Sequence, residues 1–283
     1  MFDFPEALRI HAGDYVADFV NWLKTTLGFV FDAIGNFVLH LLLYIQDFLL
    51  WLPWWSFIII VFLIGWWLRT FGLGLLFAAM LFLIGTFNLW DHMMLTLAIV
   101  LTSVIIAVII GIPVGILMAT WKTIEMIMKP ILDFMQTMPS FVYLIPAILL
   151  FSLGVVPAIF ATLIYCAPPV IRLTSLAING VSKEMVEAAQ SFGSSRWQLL
   201  MKVQLPQAMP TIMTGVNQTT MMALAMVVIA SMVGAEGLGM DVLQAINHIR
   251  IGDGFEAGIS IVFLAIIIDR LTIGIANRFT TQK

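Results

Sequence analysis

Hydrophobic positions dominate this chain, and the breaks between them mark out its elements. Over residues 14–50, polar or small residues recur at Asp14, Asp18, Asn21, Thr25, Asp32, Asn36, His40 and Asp47, spacings that fit a helical repeat. Phe19, Val20, Trp22, Leu23, Val30, Phe37, Leu41, Phe48 and Leu49 fill much of the remaining circumference. A helix polar along one line and apolar elsewhere suits the membrane surface. The same pattern suits a span whose polar stripe faces a bundle. Four Asp within hydrocarbon would cost on the order of 3 kcal/mol each, which favours the surface. Pro53 ends this element.

Seven apolar runs follow, at about 54–68, 71–90, 93–121, 124–152, 155–180, 207–233 and 256–277. Most have the roughly 20 residues needed to cross hydrocarbon. The expected fold is therefore all-α, a polytopic membrane helical bundle of about seven spans with an N-terminal amphipathic interfacial helix. It divides into an amphipathic segment (1–52), two accessory spans (53–90) and a core (91–283). Trp51, Trp54, Trp55, Trp66, Trp67, Trp90 and Trp121 fall near predicted span ends. Indole rings prefer that depth, so an interfacial belt explains them better than an aromatic cage for a cation.

Composition supports this picture. Hydrophobic residues make up 61% of the 283 positions and charged residues only 10%, against about 25% charged in ordinary soluble domains. Mean hydropathy is +1.06. The net charge of −3 gives no sign of a nucleic-acid partner. Cys166 is the lone cysteine, so no disulfide framework or cysteine metal site is expected. No basic n-region precedes the first apolar stretch, and no removable signal peptide is expected. His11, His40, His92 and His248 are scattered and form no metal-binding pair.

Lys and Arg set the orientation. One set of loops holds Arg69, Lys122, Lys129, Lys183, Arg196, Lys202, Arg278 and Lys283, and the other only Arg9, Lys24 and Arg250. The positive-inside rule puts the first set in the cytoplasm, with the N-terminus outside and the C-terminus inside.

One loop on the cytoplasmic side stands out. Residues 181–206 read VSKEMVEAAQSFGSSRWQLLMKVQLP and hold five charged residues. The pattern predicts two short helices joined at a bend. Ser182 can cap the first, with Glu184 and Glu187 near its positive end, and Gly193 can stop it. Ser194 or Ser195 can cap the second. Leu205–Pro206 predicts an extended exit, with Pro210 in the first turn of the next span. The small pair Ala188–Ala189 leaves one face open to close approach, as a docking element requires.

Glu187-Ala188-Ala189, three residues, Gly193, nine residues, Val203, one residue and Leu205-Pro206 resemble the EAA loop of permease subunits in binding-protein-dependent ABC importers. That family normally has Ile at the Val203 position. The resemblance implies a type I ABC importer permease core, with 181–206 as the loop that docks on two copies of a separate ABC ATPase. The stretches 111–119, 136–159, 168–174, 204–239 and 264–272 resemble the glycine betaine/proline betaine branch. That implies import of compatible solutes for osmoprotection across a bacterial cell membrane. It also implies an extracytoplasmic solute-binding protein, a homodimeric membrane core and contact with membrane lipids. The binding protein is expected on outer loops that include residues 235–254. Choline, carnitine, methionine or an inorganic anion are the alternative solutes, and an ion-coupled carrier is the alternative class.

The chain contains no Gly-Lys pair and so no phosphate-binding G-x-x-x-x-G-K-[ST] loop. ATP and Mg are expected on the partner, and no catalytic site, cofactor or metal in this chain. GAEGLG at 234–239 follows an apolar run rather than a strand and reads as a flexible outer turn.

Polar residues inside spans need a reason, because hydrocarbon makes them expensive. Asn217, Gln218, Thr219 and Thr220, followed by Met221 and Met222, suit a translocation path or interhelical hydrogen bonds. Met138-Pro139-Ser140 and Pro168-Pro169 predict breaks in their spans. Phe141 and Tyr143, just past the first break, could face a passing cation. The candidate path is thus Met138, Pro139, Phe141, Tyr143, Asn217, Gln218, Thr220 and Met221. Asp133 and Arg172 are expected to form an ion pair, with Lys129 competing for Asp133. Asp269–Arg270 is expected near the inner interface, where Arg can snorkel.

Overall fold

A computed structural model of the chain describes residues 12–280, with side chains described from 13 to 276. Arg9, His11 and Lys283 lie outside the described residues, as does the side chain of Arg278. Among the described residues there is no strand, and thirteen α-helices follow one another. Helix α1 (Ala12–Trp51) is long and kinked at Leu27, where the backbone leaves helical geometry. Helices α2 (Trp54–Leu68) and α3 (Phe71–Thr86) form a hairpin. Glycines where the two helices meet let the backbones touch, since a Cβ on Gly74 would lie 2.5 Å from the Phe62 carbonyl oxygen and one on Gly65 3.0 Å from Gly74 Cα.

The centre of the bundle is α4 (Trp90–Thr120) against α7 (Val155–Asn179). The two run parallel, because Gly111 meets Val170 and Gly115 meets Thr174. A Cβ at Gly111 would lie 2.5 Å from Val170 Cγ1, and one at Gly115 2.6 Å from Thr174 Cβ. Glycine is thus required for this approach. Helix α5 (Lys122–Thr137) and helix α6 (Leu144–Phe151) return the chain between them. They bend by 111° at the break after Thr137, as Met138-Pro139 predicts.

The elbow helices α8 (Lys183–Ser191) and α9 (Arg196–Leu199) precede α10 (Leu205–Ala225) and the short α11 (Val227–Ser231). Helices α12 (Leu238–Asn247) and α13 (Ile251–Thr280) complete the chain. Asn179, the elbow and Leu205 lie at one end of the bundle, called here the elbow end. Trp90, Val155, Ser231 and Ile251 lie at the far end. A core of Phe77, Leu81, Met93, Ile159, Met226 and Leu264 runs between them.

The seven expected runs are all helical, but they are not seven equal crossings. Among the described residues, four helices are long and apolar enough to span: α1, α4, α7 and α13, with a fifth if α5 and α6 count as one bent span. Helices α2 and α3 have 15 and 16 residues, about 22 and 24 Å, against roughly 30 Å of hydrocarbon. Helix α10 has 21 residues, with Asn217, Gln218, Thr219 and Thr220 in its middle.

The expected break at Pro168-Pro169 does not occur. Helix α7 runs unbroken through both prolines, which are buried. Each proline removes one backbone donor, and close packing from neighbouring helices holds the helix together. That packing is tight on the α10 side, where a Cβ on Gly215 would lie 3.2 Å from Val170 Cα. The turn at 234–239 is also not the expected flexible one. The Leu238 N–H donates to Thr96 Oγ1 at 2.9 Å, and Gly237 (φ +116°) packs so closely that a Cβ would lie 2.5 Å from the same oxygen.

Candidate functional site

The elbow is built by local hydrogen bonds. Helix α8 ends at Phe192, and Gly193 follows in the left-handed region at φ +79°. The Gly193 N–H donates to the Gln190 carbonyl at 2.9 Å and the Ser194 N–H to the Ala189 carbonyl at 3.1 Å. This pair of bonds is a Schellman closure, and it satisfies carbonyls that the helix end leaves open. Ser195 then caps α9 with a full capping box. Its Oγ accepts from the Gln198 N–H at 3.3 Å, and Gln198 Oε1 accepts from the Ser195 N–H at 2.9 Å. Ser182 makes no side-chain cap on α8, contrary to expectation.

The exit from the elbow differs from its sequence-based expectation. Leu205 is helical (φ −60°, ψ −46°) rather than extended. Residues Leu200–Gln204 form a π turn, closed by the Leu205 N–H donating to the Leu200 carbonyl. The wider turn takes in Pro206, whose missing N–H and ring disfavour an ordinary α-turn. Pro210 consequently sits inside α10 rather than in its first turn of a fresh helix.

Glu187 and Ala188 are exposed on α8, Ala189 is half-buried, and Gly193 is exposed. Val203 and Leu205 are half-buried and Pro206 is exposed where the π turn meets α10. Helix α8 has no buried residue. The elbow also presents Phe192, 91% exposed, and Trp197, 68% exposed. The motif did not single these two out. The signal was available in an aromatic pair flanking the bend of a charged loop, since large apolar side chains in water usually await a partner. Gln207 Nε2 contacts Met185 Sδ at 2.6 Å, tying α8 to the start of α10.

Helix α10 leads from the elbow to the far end, packed against α7, α13 and α4. One face remains open: Thr214, Gln218, Met221 and Ala225, at helical spacing, are all exposed. The polar cluster is therefore split. Gln218 and Met221 face out, whereas Thr219 and Thr220 are buried. Thr220 Oγ1 donates to the Val216 carbonyl at 2.8 Å. Asn217 Nδ2 donates to Asp269 Oδ1 at 2.8 Å, a bond to α13 that sequence reasoning missed. At the break between α5 and α6, Phe141 and Pro139 are exposed and Met138 is half-buried. Tyr143 is buried, and its hydroxyl donates to the Met135 carbonyl.

The ion pair between α5 and α7 is present, with Arg172 Nη2 2.5 Å from Asp133 Oδ1. Lys129 does not compete for Asp133; its ammonium lies 2.8 Å from Glu125 Oε1, one turn back. At the far end a cleft of about 320 Å³ includes His92, Asp241, Gln244, Arg250, Asp253 and Glu256. His92 Nδ1 lies 2.6 Å from Asp241 Oδ2, joining the start of α4 to α12.

Residues 111–280 match the family described as binding-protein-dependent transport system inner membrane component. The chain is 46% identical over 264 residues to the glycine betaine transport system permease protein OpuAB of Bacillus subtilis, covering 93% of this chain and 94% of that protein. It is 48% identical over 250 residues to the glycine betaine/carnitine transport permease protein GbuB of Listeria monocytogenes, covering 86% and 89%. It is 45% identical over 258 residues to the glycine betaine/proline betaine permease protein ProW of Escherichia coli, covering 91% and 73%. Among solved structures it resembles the inward-facing MetNI methionine ABC transporter, with a TM-score of 0.60, 22% identity, and coverage of 68% of this chain and 95% of that one. At that identity the likeness concerns the fold alone.

Proposed function

Because the chain belongs to the binding-protein-dependent transport system inner membrane component family, we propose that it is the permease subunit of an ATP-driven importer of glycine betaine and related compatible solutes. The observation that carries the substrate is the 45–48% identity along most of the chain to three permeases named for glycine betaine. The chain transports and does not hydrolyse. ATP and Mg are used by two copies of a separate ABC ATPase, a solute-binding protein delivers the cargo outside, and two copies of this chain form the pathway.

The elbow end then faces the cytoplasm, in keeping with Arg69, Lys122, Lys183, Arg196 and Lys202 gathered there. Glu187, Ala188 and Ala189 meet the ATPase, and Phe192 and Trp197 supply apolar anchors at the same surface. ATP-driven closure moves the elbow, and the π turn passes that movement to α10. Helix α10 carries the exposed stripe Thr214, Gln218, Met221 and Ala225, which lines the path together with Met138, Pro139 and Phe141. A permanent cation cannot shed its charge, so weak polar and aromatic contacts suit its passage better than a tight charged site. Asn217, Thr220 and Tyr143 act instead as packing and hydrogen-bonding residues.

Helix α1 lies in the outer interface in this account. Gly35 sits against Phe151 and Val156, and Leu39, Leu42, Leu43 and Gln46 share a cavity wall with Leu95, Ile99, Val155 and Glu236. These partners all belong to the far ends of their elements, as a helix lying across the bundle requires. The polar cleft with Asp241, Asp253 and Glu256 is at the same end, where the binding protein docks. Carnitine is a second cargo, favoured by the name of the Listeria relative.

A bacterium stripped of its own compatible-solute uptake, and given this chain with its co-encoded ATPase and binding protein, tests the reading. Growth at high osmolarity should be restored by glycine betaine in the medium. Restoration by choline or methionine alone would redirect the substrate assignment.

A further inference from the structure

We propose that a groove at the far end of the α2–α3 hairpin is a binding site for a phospholipid acyl chain. The groove has a volume of about 360 Å³ and lies between α2, α3 and the start of α4. Trp54, Thr86 and Trp90 are terminal residues of their helices, and all three line it. Ile58, Leu81 and Phe82 line it about one turn deeper. Trp90 is held in place edge-on against Phe57, with ring centroids 5.9 Å apart. At Gly85 an added Cβ would meet only Trp90 Cε3, at 3.8 Å, so the missing side chain leaves that wall open.

Depth identifies the occupant. Indole rings at helix ends settle at headgroup level, which puts Ile58 and Phe82, four residues from those ends, about 6 Å further in, among acyl chains. Helices α2 and α3 are too short to match the hydrocarbon thickness, so the bilayer must thin or its lipids must bend around them. The groove offers apolar space at that point. Trp54 and Phe82 are both more than half exposed, so the site opens to the membrane rather than into the bundle. No charged side chain lines it, so it recognises a hydrocarbon chain and not a headgroup. A second protein fits less well. The hairpin precedes residues 111–280 that match the family, and it presents this groove at the end away from the elbow.

The test uses the complete transporter in native-like membranes containing a phospholipid with a photoreactive diazirine on its acyl chain. After illumination, adducts are mapped by peptide mass spectrometry. Labelling at Ile58 and Phe82 should exceed that at Leu63 and Val262 several-fold, although Leu63 and Val262 are each 48% exposed and Ile58 is less exposed than either. Gly85→Phe, or Thr86→Phe if the first variant does not fold, should bring groove labelling down to the level of the comparison positions. The enrichment should be the same for phosphatidylglycerol and phosphatidylethanolamine probes. Uniform labelling in the wild type would overturn the proposal, as would cross-links from the groove to another protein chain or enrichment with one headgroup only. None of these readouts depends on the transported solute, so a failure of the substrate assignment would not be mistaken for a failure of this one.

Discussion

Replacing Gly193 separates the elbow's geometry from the stability of the bundle. The residue has φ +79°, and a Cβ placed there meets nothing within 4 Å. The cost of Gly193→Ala is therefore conformational alone, about 1–2 kcal/mol for an L residue in the left-handed region. Helix α8 has nine residues and buries none of them, so it has no packing with which to absorb that strain, and it is too short to be stable alone. The strain should open the Schellman closure and lower the population of the ordered elbow by a factor of roughly 5 to 30. The assay is ATPase affinity for the permease in nanodiscs, alongside thermal unfolding of the permease. Gly193→Asn should weaken affinity least, because Asn tolerates this backbone; Gly193→Ala should weaken it by the factor above, and Gly193→Val by more. Unfolding of the permease itself should not change. Equal affinity for Gly and Ala, or a parallel fall in permease stability, would refute the reasoning.

Other predictions address the remaining contacts. Phe192→Ala and Trp197→Ala should each weaken ATPase binding by about 1–2 kcal/mol, as loss of an apolar anchor does, while the purified permease folds normally; co-purification yield with the ATPase checks this. Gly111→Leu should prevent accumulation of folded protein, because its side chain would occupy the space of Val170, and fluorescence-detected size exclusion would show it. Asn217→Leu should destabilise the bundle by about 1–3 kcal/mol by leaving Asp269 without its donor, with Asp269→Asn in the same chain recovering part of the loss in a melting assay. The Asp133–Arg172 pair is partly exposed on both sides, so Asp133→Asn should cost no more than about 1 kcal/mol, and the charge swap Asp133→Arg with Arg172→Asp should recover it.

Where local chemistry decides the structure, the sequence was readable. Helix limits at Trp54, Leu68, Phe71 and Asn179 follow from apolar runs and their punctuation. Gly193 and Ser195 act as stop and cap because their local bonds need no tertiary help. Prolines are where sequence and structure diverge most. At Met138-Pro139 the chain does bend, but at Pro168-Pro169 the packed neighbours hold α7 straight, and at Pro206 a π turn keeps the helix going. None of these outcomes can be distinguished from the dipeptide alone, since each depends on what packs around the freed carbonyls. The polar cluster on α10 is unusual for an apolar run, and the sequence alone marks it so. Its division into an open stripe and a buried bond to Asp269 depends on where α13 lies. The glycines at 234–239 looked like a loose turn because nothing near them in sequence reveals Thr96 as their partner.

The central claim is tested most directly by uptake of labelled glycine betaine into proteoliposomes holding this chain, its co-encoded ATPase and its binding protein. Wild-type chain should take up the solute only when ATP is supplied to the elbow side, and Glu187→Lys should abolish uptake while the complex lacking the ATPase still forms a folded permease. Uptake driven by an ion gradient without ATP, or no betaine uptake by a verified wild-type complex, would contradict the account.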